Sequence, residues 1–145
     1  MTGRSLVIEG YASLFGVEDL AGDIVRAGAF ARSLARRGPV GMLLQHAGGR
    51  TAGRWNAIRE DGRGLFVRGL VTDETPAGKV ALQLIHDGTM NGLSIGFIAR
   101  DWTPRRERGR ELREIELREV SLVSAPMLPG ARFAAAGKEA GRKAA

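Results

Sequence analysis

The sequence predicts a mainly β domain with a few helices (α+β), its strands forming a closed or partly closed β-barrel flanked by helices. Three observations carry this. Apolar residues alternate with polar ones in several segments, the spacing of a strand with one buried face. Six segments read as strands and only two as helices. Two of the strand candidates, Thr51 to Arg59 and Gly64 to Thr72, are separated by Glu60-Asp61-Gly62-Arg63, a short polar stretch suited to a hairpin turn.

In chain order, Ser5 to Leu14 is the first strand, with Leu6, Ile8, Tyr11 and Leu14 interrupted by Gly10, and a polar loop with Asp19, Gly22 and Asp23 follows. Gly28 to Arg37 reads as a short helix whose Phe30 and Leu34 share a face while Arg32, Arg36 and Arg37 lie outside. Val40 to His46 is an apolar run closed by the Gly48-Gly49 turn. After the hairpin, Thr75-Pro76 supplies an N-cap and a first-turn proline for a helix that presents Val80, Ala81, Leu84 and Ile85 and stops at Gly88. Asn91 to Trp102 is the next strand, Thr103 to Arg110 a charged loop, and Glu111 to Ala125 a last strand broken by Pro126 and Pro129.

At 145 residues the chain fits one domain, which can bury about 70% of its unfolded surface without staples. The expected division is residues 1–131 as that domain and 132–145 as a mobile basic tail made mainly of Ala, Gly, Lys and Arg. With no cysteine there is no disulfide, thiolate site or cysteine nucleophile, and with only two histidines, His46 and His86, no metal or other cofactor is expected. No apolar stretch reads as a signal peptide or membrane span, so a cytoplasmic protein that does not use a membrane is expected. The net charge of +6 and pI near 10.9 raise nucleic acid or an acidic protein surface as partners. Five Phe, two Trp and one Tyr are poor material for a base-stacking platform, so nucleic acid ranks second.

Gly92-Leu93-Ser94-Ile95-Gly96 matches G-x-S-x-G, the nucleophile elbow of α/β-hydrolases. The elbow needs a strand, a sharp turn and a helix, with a histidine later in the chain. Here the run continues strand-like through Phe97 and Ile98, and no histidine follows His86. Read as a strand, Leu93, Ile95 and Phe97 share one face and Gly92, Ser94 and Gly96 the other. A hydroxyl flanked by two bare positions leaves room for another backbone, as a nucleophile attacking an extended peptide requires. The same glycines could instead admit a packed helix, with Ser94 a small filler.

A serine nucleophile needs a base. His86 sits in the last turn of a helix, where the helix dipole is sufficient reason for it. His46 shares its face with Val40, Met42 and Leu44 and should point to the interior or a cleft wall, as a satisfied core residue or as the base. Alternation puts Glu119 with Ile115 and Leu117, where a carboxylate needs a partner, either His46 or one of the arginines.

Gly10-Tyr11-Ala12-Ser13-Leu14-Phe15-Gly16, Gly28-Ala29-Phe30, Leu44-Gln45-His46, Gly92 through Phe97 and Glu119-Val120-Ser121-Leu122-Val123, in this order, resemble the phage prohead protease family. The resemblance spans about Leu6 to Ala131 and implies a fold similar to the herpesvirus capsid protease. It implies a serine peptidase acting inside an immature phage or gene-transfer-agent shell, with capsid or scaffold protein as substrate and self-cleavage as a further option. The family's catalytic residues fall on His46 and Ser94, with Glu119 as third member. Two departures from the family's pattern, Ala27 before Gly28 and Ala47 after His46, touch no proposed catalytic group. The rival readings are a capsid assembly factor without chemistry and a basic nucleic-acid-binding β-domain; the oligomeric state is left open.

Overall fold

In the computed structural model, which describes residues 3–36 and 38–136, the order is β1 (Ser5–Leu14), β2 (Ile24–Val25), α1 (Ala31–Ala35), β3 (Gly41–Leu43), β4 (Thr51–Glu60), β5 (Gly64–Thr72), α2 (Pro76–His86), β6 (Gly92–Pro104), β7 (Arg110–Val123) and β8 (Phe133–Ala135). The hairpin forms where the turn residues place it, with Asp61 Oδ1 accepting from the amides of Arg63 and Gly64 at 2.8 and 3.1 Å. The charged loop before β7 is shorter than expected because β6 runs on to Pro104; Arg105 N–H closes it by donating to the Gly109 carbonyl at 2.9 Å.

The first helix is shorter than the expected Gly28 to Arg37. Gly28 turns with φ +89°, and helix begins only at Ala31. No side chain of its own sequence caps it. The Phe30 amide instead donates to the Glu60 carboxylate at 2.7 Å, a cap supplied by β4. Arg37 lies outside the described residues.

The second helix starts as its sequence dictates: Gly78 N–H donates to Thr75 Oγ1 at 2.9 Å, and Pro76 occupies the first turn. It ends in a Schellman motif around Gly88 (φ +77°), whose N–H donates to Ile85 O while Thr89 N–H donates to Leu84 O, both at 3.0 Å. Its buried face is Ala77, Gly78, Ala81 and Leu82, and the expected core residue Val80 is 42% exposed. Small residues face inward because α2 lies almost on the sheet. A Cβ at Gly78 would stand 3.1 Å from the Ala52 carbonyl oxygen and overlap that of Thr72.

Among the described residues the strands form one sheet in the order β2-β7-β3-β4-β5-β1-β8, with β6 paired to β7. The structure is mainly β with few helices, and its core is a single cluster centred on Ile8, Phe30, Met42, Leu65, Leu93, Ile115 and Leu122. The expected closure is met only in part. β8 pairs with β1, and a single isolated bridge, Gly92 to Arg132, spans the gap from the chain just before β8 to β6, so no ladder closes a barrel. The expected tail from 132 onward also begins inside the fold: Phe133 to Ala135 pair with Ile8 to Gly10 because Gly10 lets the strands approach, a Cβ there falling 2.9 Å from Phe133 Cα. Residues 137–145 lie outside the described residues. No described helix is long and apolar enough to cross a membrane.

Candidate active site

The candidate residues lie on or just beyond three neighbouring strands, with β7 in the middle. β6 runs antiparallel to it with Ser94 opposite Ser121 and Gly96 opposite Glu119. On its other side β3 is parallel, with Gly41 opposite Glu119 and Leu44 bridged to Leu122. The alternation expected for β6 holds: Leu93 is fully buried in the core while Ser94 faces the Ser121 side.

Glu119 reaches that side by a route that simple alternation does not anticipate. The β6–β7 register shifts between Gly96/Phe97 and Glu119/Leu117, leaving Arg118 as the extra residue of a bulge. The bulge changes the phase of β7. The core series steps from Ile115 and Leu117 to Val120 and Leu122, so Glu119 does not share the apolar face of Ile115 and Leu117 as expected. It lies with Ser121, whose hydroxyl donates to Glu119 Oε1.

The Glu119 side chain lies over Gly96. A Cβ there would fall 2.6 Å from its carboxyl carbon and from Oε2. The second glycine of G-x-S-x-G therefore makes room for a carboxylate rather than for an elbow.

His46 also departs from expectation. β3 ends at Leu43, and Gln45 and His46 both take left-handed backbone angles, φ 53° and 61°. With Ala47 N–H donating to Leu44 O at 3.0 Å, residues 44–47 form a tight turn with positive φ at both central positions. The turn breaks the Val40–Met42–Leu44 alternation and carries the imidazole to the surface, 41% exposed, rather than inward. Such angles in non-glycine residues cost about 1–3 kcal/mol and persist only where neighbours hold them. Gln45 does the holding: its N–H donates to Leu122 O at 2.9 Å, its Nε2 to Ser124 Oγ at 3.1 Å, and its Oε1 accepts from Ser124 N–H at 3.3 Å.

The turn places His46 Nδ1 3.1 Å from Glu119 Oε1, with the Glu119 side chain only 19% exposed. With Nδ1–H donating to the carboxylate, Nε2 keeps its lone pair and can act as a base. The structure thus brings His46 and Glu119 into contact and lays Ser94 on the neighbouring strand of the same face. The Ser94 hydroxyl makes no hydrogen bond among the described residues. His86, exposed at the end of α2, takes no part in this group. Arg118 pairs with Glu116 at 2.8 Å, and Arg108 of the β6–β7 loop pairs with Glu18 at 3.2 Å.

Ser121 is the member that sequence reasoning missed. It is fully buried and shares Glu119 Oε1 with His46, so it positions the carboxylate. Counting two residues on from Glu119 along a strand would have found it. Gln45 carried no comparable signal, because its role depends on a turn that the pattern hides. Among the described residues no three His, Asp or Glu side chains converge as a metal site requires.

By fold the molecule is a β domain of the type seen in herpesvirus proteases. It has a TM-score of 0.63 to the varicella-zoster virus protease, at 14% identity over 97% of this chain and 68% of that one. The capsid assembly protease of bacteriophage T4 gives 0.64, at 18% identity over 81% and 80%. The chain belongs to the caudovirus prohead serine protease family, whose model matches residues 1–143. It is 35% identical over 137 residues to the prohead protease of Enterobacteria phage HK97, covering 92% of this chain and 61% of that protein's length.

Proposed function

We propose that this chain is a serine endopeptidase that cleaves capsid or scaffold protein inside a maturing phage or gene-transfer-agent prohead. The observation that carries the reading is the His46–Glu119 contact at 3.1 Å beside a strand that presents Ser94 on the same face. Ser94 Oγ attacks the scissile carbonyl carbon while His46 Nε2 takes its proton. The tetrahedral intermediate collapses, the C–N bond breaks, and His46 returns the proton to the leaving amine. Water then repeats the sequence on the acyl-enzyme. Glu119 holds the tautomer and steadies the imidazolium, and Ser121 holds Glu119. Ser121 is a poor rival for the nucleophile, since it is fully buried and its hydroxyl is already engaged.

One observation favours the second reading, an assembly factor that has lost the chemistry: Ser94 is not hydrogen-bonded to His46. Such contacts are often loose before substrate binds and tighten in the complex. Co-expression with the cognate capsid protein, followed by intact mass spectrometry, separates the two. A discrete truncation with the wild type and none with Ser94→Ala supports the peptidase. Intact capsid protein in both, with particles still assembling, supports the assembly factor.

A further inference from the structure

Resting on the reading of Ser94 as nucleophile, we propose that the substrate lies extended along the outer edge of β6 and seats an apolar side chain, next to the bond being cut, in the pocket between β6, β1 and β2. The gap in the sheet makes this place available. On its outer edge β6 is covered only at its start, where Leu93 N–H donates to Ala131 O and Phe133 N–H to Asn91 O, both at 2.9 Å. From there the chain turns away to pair with β1, and among the described residues no strand pairs with the outer edge of β6 beyond Leu93.

The first uncovered residue is Ser94. Main-chain groups alternate in direction along a strand, so the N–H and C=O of Ile95 point outward as those of Leu93 do. The partner strand agrees: Leu122 O and Val120 O, opposite Leu93 and Ile95, turn away from β6 to Gln45 N–H (2.9 Å) and Trp55 Nε1–H (3.1 Å). An uncovered edge of this kind adds an extended peptide through its main chain and selects it through side-chain pockets.

The pocket lies beside that edge, open to solvent, and Ser94 is one of its walls together with Ile95, Phe97, Val25 and Leu128. Of its two carboxylates, Asp23 is paired and Asp19 is held through one oxygen. Asp19 Oδ1 accepts from the amides of Ala21 and Asp23, each at 2.9 Å, and Asp23 is held by Arg110 at 2.7 Å. Most of the remaining wall is apolar, beside Asp19 Oδ2, Ser13 and Ser94, and the rim is apolar as well, with Val17 46% and Met127 49% exposed. A medium-sized aliphatic side chain (Leu, Met, Ile or Val) fits this mostly apolar lining; an acidic one would be stripped of water beside the Asp19 carboxylate.

The test exposes the full chain to a peptide library, maps cleaved bonds by mass spectrometry and, in parallel, labels Ser94 with a fluorophosphonate. Wild type should enrich aliphatic residues at one position flanking the cut. Val17→Phe, at the exposed rim, and Leu128→Phe should each move the preference about tenfold or more toward Ala and Gly, in proteins that still label at Ser94. N-methylation of one substrate amide near the cut should lower kcat/KM about tenfold, the loss of one main-chain hydrogen bond. Normal labelling and cleavage without aliphatic enrichment, or with enrichment that neither variant shifts, overturns the proposal. So does a preference for Lys or Arg that Asp19→Asn abolishes. If wild type neither labels nor cleaves, the peptidase reading itself fails.

Discussion

Asp23 and Glu119 each sit against a basic side chain, and the two contacts differ in kind. Asp23 accepts from the Arg110 amide at 2.8 Å and from its Nη2 at 2.7 Å, tying the loop after β1 to the start of β7. Its hydrogen bonds hold the Arg110 guanidinium above its ordinary pKa, so the pair stays charged and moves no proton. Glu119 accepts from Ser121 and lies 3.1 Å from His46 Nδ1, and the imidazole itself is exposed. Asp23 is a brace. Glu119, in the proposed mechanism, orients an exposed imidazole whose other nitrogen faces the substrate.

Changes that separate the two fall in a clear order. His46→Ala should lower kcat/KM about 10⁴–10⁶-fold in a cleavage assay, as for a triad acting as a unit, with circular dichroism and thermal unfolding near wild type. Glu119→Gln keeps the shape but can present its NH₂ to Nδ1 and favour the wrong tautomer; a loss of about 10²–10⁴-fold, mainly in kcat, is expected from steady-state kinetics. Gly96→Ala pushes the same carboxylate aside without removing it, and should cost about 10–100-fold with Glu119 still present. A Gly96→Ala variant as active as wild type would show that the position of Glu119 over Gly96 is incidental.

The brace should respond in the other currency. Asp23→Asn should lower unfolding free energy by roughly 1–3 kcal/mol in urea titrations, less than a fully buried pair because Arg110 keeps solvent contact. Activity per folded molecule should change little. The smallest effect is expected at Glu116, whose hydrogen bonds from Arg100 and Arg118 hold its pKa below the ordinary 4.5. A depressed carboxylate contributes its stability above that value and loses it as pH falls through the folded pKa. Glu116→Gln should therefore flatten the decline of Tm below about pH 4.5 and leave Tm at neutral pH nearly unchanged.

The elements written in local chemistry were legible. The hairpin at Asp61–Gly62, the Thr75–Pro76 helix start, its stop at Gly88 and the face on which Ser94 lies all follow from residues a few positions apart. The pairing of His46 with Glu119 was legible as one option, though both residues were assigned to faces that the structure corrects. Glu119 was placed on the apolar face of β7 and His46 on the inner face of its run. Both inferences assumed uninterrupted alternation, and a bulge at Arg118 and a left-handed turn at Gln45–His46 interrupt it.

By itself, then, the sequence determined the strand-rich class and most element boundaries, and it singled out His46, Ser94 and Glu119 as candidates, because period, caps and turn residues act over a few residues. Tertiary structure alone decided the rest: the short strands β2 and β8, the Glu60 cap on α1, the Gln45–Ser124 clamp and the incomplete closure beside Ser94. Each of these depends on a partner tens of residues away. A strand of two or three residues, or a turn held at positive φ, is stable only once that partner is in place.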